Sequence, residues 1–317
     1  MASRVTSEFP RPRTLIHPGA FNPTRIHSRH CQRARHVRLA LQPGRSLFDA
    51  LVRPLADMGI ENASTTILGG FFDELQYCLA PPDPSERAVI AYTQPRAAGS
   101  CAMVFGNATI GKDADGRPLV HCHAAIRTET GEMRGGHIIS QASIVGPDPI
   151  AVLVTSLEGL RTASGLRRGN QHRADATFRA GGHMSNTIVE SGEMGRVAYA
   201  RFAPNEDLVL AVEKLCLAQG FRHAFVRGAL GSLVDACLRT PDGRYLEVKG
   251  PAVEIVSLAG EVRPGPDGSL RAALTGVVAD TEGNVHGGPF VAGSNPICVT
   301  LEVTLEEWLP HAAVPAD

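Results

Sequence analysis

Two stretches of the chain share one alternation of apolar and polar positions. Val37 to Leu41 and Val197 to Phe202 alternate with period two, as a strand with one buried face does. Each meets a proline-containing turn and then a segment with apolar residues at helical spacing. These are Leu47, Ala50, Leu51 and Leu55 in the first stretch, and Leu208, Ala211, Val212 and Leu215 in the second. Residues three and four apart share one helix face, so each segment predicts an amphipathic helix. Ser46 is the expected N-cap of the first helix. Asn205, followed by the acids Glu206 and Asp207, is the expected start of the second.

The likeness extends well beyond these stretches. Pro43 to Ala50 overlies Pro204 to Ala211 at an offset of 204 minus 43, or 161. The same offset carries Gly59 onto Gly220, Ala63 onto Ala224 and Gly70 onto Gly231. Further along it shrinks, matching Gly106 with Gly260, Gly135-Gly136 with Gly287-Gly288, and Pro149 with Pro296. The first unit therefore holds extra loop residues, expected within Ala80 to Ser100. Val152 to Val154 and Val299 to Leu301 close the two units as strands. Short strands around one helix predict an α+β fold of two tandem domains, each an antiparallel β-sheet packed with one main helix. The expected bounds are residues 36–158 and 197–309. They are framed by a basic arm at 1–35, a Gly/Arg-rich linker at 159–196 and a tail at 310–317.

Composition narrows the class. At 317 residues the chain suits two ordinary domains, and 33 glycines with 22 prolines favour turns and short strands. A net charge of −1 gives no global attraction to nucleic acid or an anionic membrane. The basic charge is local: Arg4, Arg11, Arg13, Arg25, Arg29, Arg33 and Arg35 face only Glu8 in the arm. Seven scattered cysteines without a Cys-x-x-Cys pair look like reduced intracellular thiols. No apolar stretch suits a secretory signal or a membrane span, so a cytoplasmic protein is expected.

The chemistry concentrates in His121-Cys122-His123 and Gly135-Gly136-His137. In a strand, His121 and His123 share a face and Cys122 takes the other. Thr128 to Gly131 reads as a turn with Gly131 in the left-handed position, folding a hairpin that sets His137 opposite His121 or His123. Either register leaves His137 on the shared face, because side chains repeat every two residues. Three imidazoles without a fourth protein ligand describe an open transition-metal site, with zinc the default ion. The alternative is three partly exposed strand histidines over a core Cys122. In the second unit, at an offset of 152, these positions are Ala273, Thr275 and Pro289, although the turn survives as Asp280 to Gly283. The architecture therefore closes there without imidazoles.

With these motifs in order, the chain resembles a tandem member of the PPC family, the plant and prokaryote conserved domains (DUF296). The resemblance rests on Pro43-Gly44, the strand ending at Gly69-Gly70, the strand Cys101 to Thr109, the His-x-His strand and Gly135-Gly136-His137. In the second unit it rests on Val253 to Gly260. It implies an antiparallel sheet with packed helices, a trimeric homo-oligomer, and a metal such as zinc on His121, His123 and His137. It also brings a DNA-binding alternative, which the net charge and the lack of an AT-hook disfavour. The favoured reading is a metal-dependent enzyme performing hydrolysis, hydration or lyase chemistry on a small polar metabolite. A non-catalytic metal-dependent ligand-binding module is the other alternative. Proton-transfer or substrate-binding candidates are Glu74, Tyr92, Arg96, His17 and His183. Phosphate loops, dinucleotide fingerprints and nucleophile elbows are absent from the sequence.

Overall fold

The computed structural model describes residues 3–18, 21–31, 34–157 and 196–308. Regular structure begins earlier in the chain than the alternation suggests, because the arm contributes β1 (Arg4–Thr6) and β2 (Ile26–Cys31). The first domain comprises β3 (His36–Leu41), α1 (Leu47–Asp57), β4 (Ala63–Ile67), β5 (Gly70–Cys78), β6 (Arg96–Lys112), β7 (Pro118–Thr128), β8 (Met133–Ile138), β9 (Ile144–Val145) and β10 (Ile150–Ser156). The second comprises β11 (Val197–Phe202), α2 (Leu208–Gln219), β12 (Ala224–Leu233), β13 (Ala236–Arg239), β14 (Tyr245–Val248), β15 (Val253–Pro264), β16 (Leu270–Ala279), β17 (Val285–Pro289) and β18 (Ile297–Glu307).

The first domain's sheet runs β3-β10-β4-β6-β7-β8-β5-β9, with β5 also paired to β6. The second runs β17-β16-β15-β12-β18-β11-β2, and a small sheet β1-β14-β13 lies beside it. The pairings are antiparallel, giving the expected α+β class. Helix α1 buries Leu47, Ala50, Leu51 and Leu55 in one cluster with Ile67, Cys122, Ala124, Ile126 and Val152. Burying each large aliphatic chain contributes roughly 1.5–3 kcal/mol. Helix α2 does the same with Leu208, Ala211, Val212 and Leu215.

Three expectations need correction. The arm is not an irregular appendage: β2 pairs with β11 and β1 with β14, so its described residues extend the second domain. Three of its arginines are paired there, Arg4 with Glu247 at 3.0 Å, Arg13 with Asp235 at 2.8 Å and Arg25 with Glu206 at 3.3 Å. Ser46 caps α1 as expected, accepting from the Asp49 amide, but Asp207 rather than Asn205 caps α2. Asn205 has a left-handed backbone (φ 65°), and its amide exchanges two hydrogen bonds with the backbone of Leu15. Finally, Gly106 does not correspond to Gly260. The β6–β7 ladder is bulged between Met103 and Phe105, and the β15–β16 ladder between Ile255 and Ser257. Superposing these bulges gives an offset of 255 minus 103, or 152, which places Gly106 on Leu258.

The outer faces of the two sheets pack on each other. Asn107 Nδ2 donates to the Val256 carbonyl at 3.1 Å, and the Gly135 amide donates to the Gly283 carbonyl at 2.9 Å. Arg134 bonds Asn284 at 2.9 Å, while Ala125, Val256 and Ala279 form an apolar cluster between the domains. His36 Nε2 lies 2.9 Å from the Glu306 carboxylate. This contact decides what surrounds the histidines.

Candidate metal centre

The hairpin of β7 and β8 turns at Gly131 (φ 84°), whose amide donates to the Thr128 carbonyl at 2.9 Å. Of the two possible registers it adopts the one with His137 directly across from His123. His121 lies on the same face two residues away, and Cys122 points into the core with no exposure. The candidate ligand nitrogens of His121, His123 and His137 all lie within 4.8 Å of one another. Ring centroids are 4.9, 5.0 and 5.5 Å apart.

The donors fit a metal ion. His121 Nε2 and His123 Nε2 are 3.2 Å apart. Two nitrogens on one tetrahedral zinc, at about 2.0–2.1 Å each, sit roughly 3.3 Å apart. His123 Nδ1 lies 3.0 Å from the Ile255 carbonyl, an acceptor that assigns the proton to Nδ1 and leaves Nε2 with its lone pair. His137 Nδ1 is buried without a hydrogen-bond partner, so a polar atom here lacks the partner that burial demands. Burial, then the neighbouring His137, pushes His123 down to about 3, and burial pushes His137 down to about 4. Both rings are therefore neutral ligands at neutral pH.

The second domain supplies a carboxylate. Glu254 on β15 is 3% exposed, and its Oε1 lies 3.6 Å from His123 Nε2. Desolvation pushes Glu254 up to about 8, so with His123 neutral the contact is not an ion pair. A cation among these groups would favour the deprotonated form of each, opposing the Glu254 shift and reinforcing that of His123. Sequence reasoning missed Glu254. Its signal was a lone acid inside the apolar run Val253 to Leu258, where carboxylates seldom sit without a purpose.

Of the remaining candidates, Tyr92 reaches the cluster, its ring centroid 5.0 Å from that of His137. Although 38% of Tyr92 stays exposed, burial, then Glu254, then Cys78 push its hydroxyl up, and it remains protonated at physiological pH. Three others lie elsewhere. Glu74 is exposed on β5 and accepts a hydrogen bond from Gln76 at 2.9 Å. Arg96 is exposed at the start of β6. His17 sits in the arm, where burial and then Arg25 lower its pKa. Residue type and nearness to the glycine-rich strand, the insertion or the arm suggested those three, and neither signal fixes which way a side chain faces. His183 lies outside the described residues.

Gly135 and Gly136 have a packing explanation. A Cβ on Gly135 would lie 2.8 Å from Ala279 Cβ in the second domain, and one on Gly136 would lie 2.7 Å from the Cys78 carbonyl oxygen. The backbone beside His137 is thus approached from two sides by protein. In the second domain the equivalent Ala273, Thr275 and Pro289 are exposed.

Comparison with known proteins adds to this picture. A bifunctional GlmU protein from Synechococcus sp. is 33% identical over 116 residues, 37% of this chain and 18% of the relative. The chain thus spans under a fifth of that curated relative's length. A plant- and prokaryote-conserved protein of Pyrococcus horikoshii is 17% identical, with 50% of this chain and 97% of that one covered at a TM-score of 0.32. A metal-containing protein of Archaeoglobus fulgidus is 16% identical, covering 47% and 94% at a TM-score of 0.32. The family profile of the Plants and Prokaryotes Conserved (PCC) domain matches residues 28–158 and again 189–309. The chain belongs to the Plants and Prokaryotes Conserved domain family and carries its domain twice.

Proposed function

We propose that this protein is a metal-dependent enzyme whose centre is held by His121, His123 and His137 and whose substrate is a small polar metabolite. The observation that carries the reading is the convergence of three imidazole nitrogens within 4.8 Å, with the other nitrogen of His123 engaged by the Ile255 carbonyl. Zinc suits this nitrogen-only donor set, and bound there it would activate water or polarise a carbonyl for hydrolysis, hydration or lyase chemistry. His123 is held in one tautomer by the neighbouring domain, so its ligand atom needs no reorganisation. Tyr92, beside His137, offers a neutral hydroxyl donor to a bound oxygen. His121 is only partly buried, so the cluster is not sealed from solvent on that side.

A cytoplasmic setting agrees with seven cysteines that are all buried. Among the described residues no helix is long and apolar enough to cross a membrane. We take the assembly to be a homo-oligomer, with a trimer implied by the family. Leu68, Phe71, Val104 and Leu153, each 46–59% exposed on the first domain, support self-association. The duplex-binding alternative loses support from the arm, whose Arg4, Arg13 and Arg25 are paired within the chain.

The test is elemental analysis of protein purified without chelator. Wild type is expected to hold one transition metal per chain and His123→Ala none. Equal content in both would end the assignment. With the metal identified, turnover of a panel of small esters, amides and hydroxy acids separates an enzyme from a binding module.

A further inference from the structure

We infer that Glu254 belongs to the metal centre of the first domain, so that the site is composite and neither copy of the duplicated domain contains it alone. The inference rests on the metal-centre reading above and adds a residue from the opposite copy.

The first argument is geometric. Glu254 Oε1 lies 3.6 Å from His123 Nε2, the nitrogen that the Ile255 hydrogen bond leaves free to bind an ion. The neighbouring residue on the same strand thus fixes the tautomer of the same histidine. One strand of the second domain therefore makes two adjacent contacts with one first-domain ligand.

The second argument comes from the duplication. Matched bulges in the two domains place Glu254 at the position of Ala102, since Ala102 pairs with Arg127 and Glu254 with Ala279 at the same 152-residue offset. The first copy has the histidines and an alanine in place of the carboxylate. The second has the carboxylate, with Ala273, Thr275 and Pro289 in place of the histidines. The two copies could pack in two senses, and only the packing observed brings both halves together. A buried carboxylate in the apolar strand Val253 to Val256 opposes folding unless something compensates it. A divalent cation held by the three histidines supplies the missing compensation. Glu254 then acts as a positioning carboxylate, raising affinity for a dication and orienting a water or hydroxyl on it.

The experiment titrates chelator-stripped full-length protein with Zn²⁺ against a competing fluorescent chelator, and with Co²⁺ followed by visible absorption. Glu254→Gln is expected to keep a stoichiometry of one and to lose about 10–100-fold in Zn²⁺ affinity, the range for outer-shell partners. Its Co²⁺ absorption bands are expected to shift. Glu302→Gln, a substitution of another buried second-domain acid (7% exposed), is expected to leave both unchanged. Glu254→Asp is expected to restore part of the affinity, and it replaces Glu254→Gln if that variant does not fold. Wild-type affinity and spectrum in Glu254→Gln would overturn the inference while leaving the histidine site intact. Equal weakening by Glu302→Gln would reduce Glu254 to general interface packing and also overturn it. A wild-type chain that binds no metal would bring down the metal reading first and this inference with it.

Discussion

The two copies share a helix, a hairpin turn and a β-bulge at matched positions, yet their equivalent faces meet different surroundings. In the first, β15 of the second domain covers His123 on the face it shares with His121 and His137. In the second, the equivalent Ala273, Thr275 and Pro289 are exposed. The converse holds for the docking strand, because Val256 is fully buried and its counterpart Val104 is 49% exposed. The interface is thus head-to-tail, and each domain uses only one of its two surfaces within the chain. The histidines stand only in the first copy and the Glu254 carboxylate only in the second. The imidazoles are accordingly not needed to close the hairpin, since the same hairpin folds without them in the second copy.

The largest expected contrast concerns metal content. His137→Ala is expected to take the chain from one bound metal to none, and Pro289→Ala at the equivalent position to leave it at one, as elemental analysis would show. Matching losses would erase the distinction between the copies.

Acid should also separate the domains. His123 and His137 have folded pKa values pushed below the ordinary imidazole value, to about 3 and about 4. The unfolded chain therefore takes up protons first. The stability these rings contribute to the metal-free protein is present above about pH 6.5 and is lost as pH falls toward 4. Glu254 has the opposite sense: pushed up to about 8, it favours the folded state at low pH and ceases to do so as pH rises through that value. Denaturant unfolding of the metal-free protein is expected to weaken from pH 6.5 to 4.5. His123→Ala should flatten that slope, and an unchanged slope would refute the assignment.

A smaller effect probes the domain contact. Gly135→Ala puts a Cβ 2.8 Å from Ala279 Cβ and is expected to cost about 1–3 kcal/mol. Gly287→Ala, whose nearest neighbour would be 3.5 Å away, should stay within about 0.5 kcal/mol in the same urea titration. Equal costs would show that the glycine pair serves the hairpin rather than the interface.

What the sequence revealed was local. Period-two alternation put His121 and His123 on one face, and the turn at Gly131 brought His137 to it, because neither requires knowledge of distant chain. The second helix cap was misplaced by two residues, since Asn205 resembles a cap while its side chain is engaged by Leu15. Matching Gly106 with Gly260 favoured shared identity over the bulge, a feature of hydrogen bonding that leaves no residue-specific mark. Strand β2 was missed because Ile26 to Cys31 is mostly polar and its partner β11 lies some 170 residues on. Glu254 was missed for a related reason: it meets His123 across a boundary that the repeat had suggested was a separation.

That misplaced strand has a consequence for how the molecule can be divided. Residues 26–31 lie along the border of the rear copy's sheet, and only afterwards does the chain build the front copy and return. The rear copy is therefore assembled from segments on either side of the front copy. Severing the chain where the repeats abut would strip a neighbour from β11 and bare its amides and carbonyls to any passing strand. Genetic duplication and physical partition follow different seams here, because residues ahead of the front copy complete the rear copy's sheet.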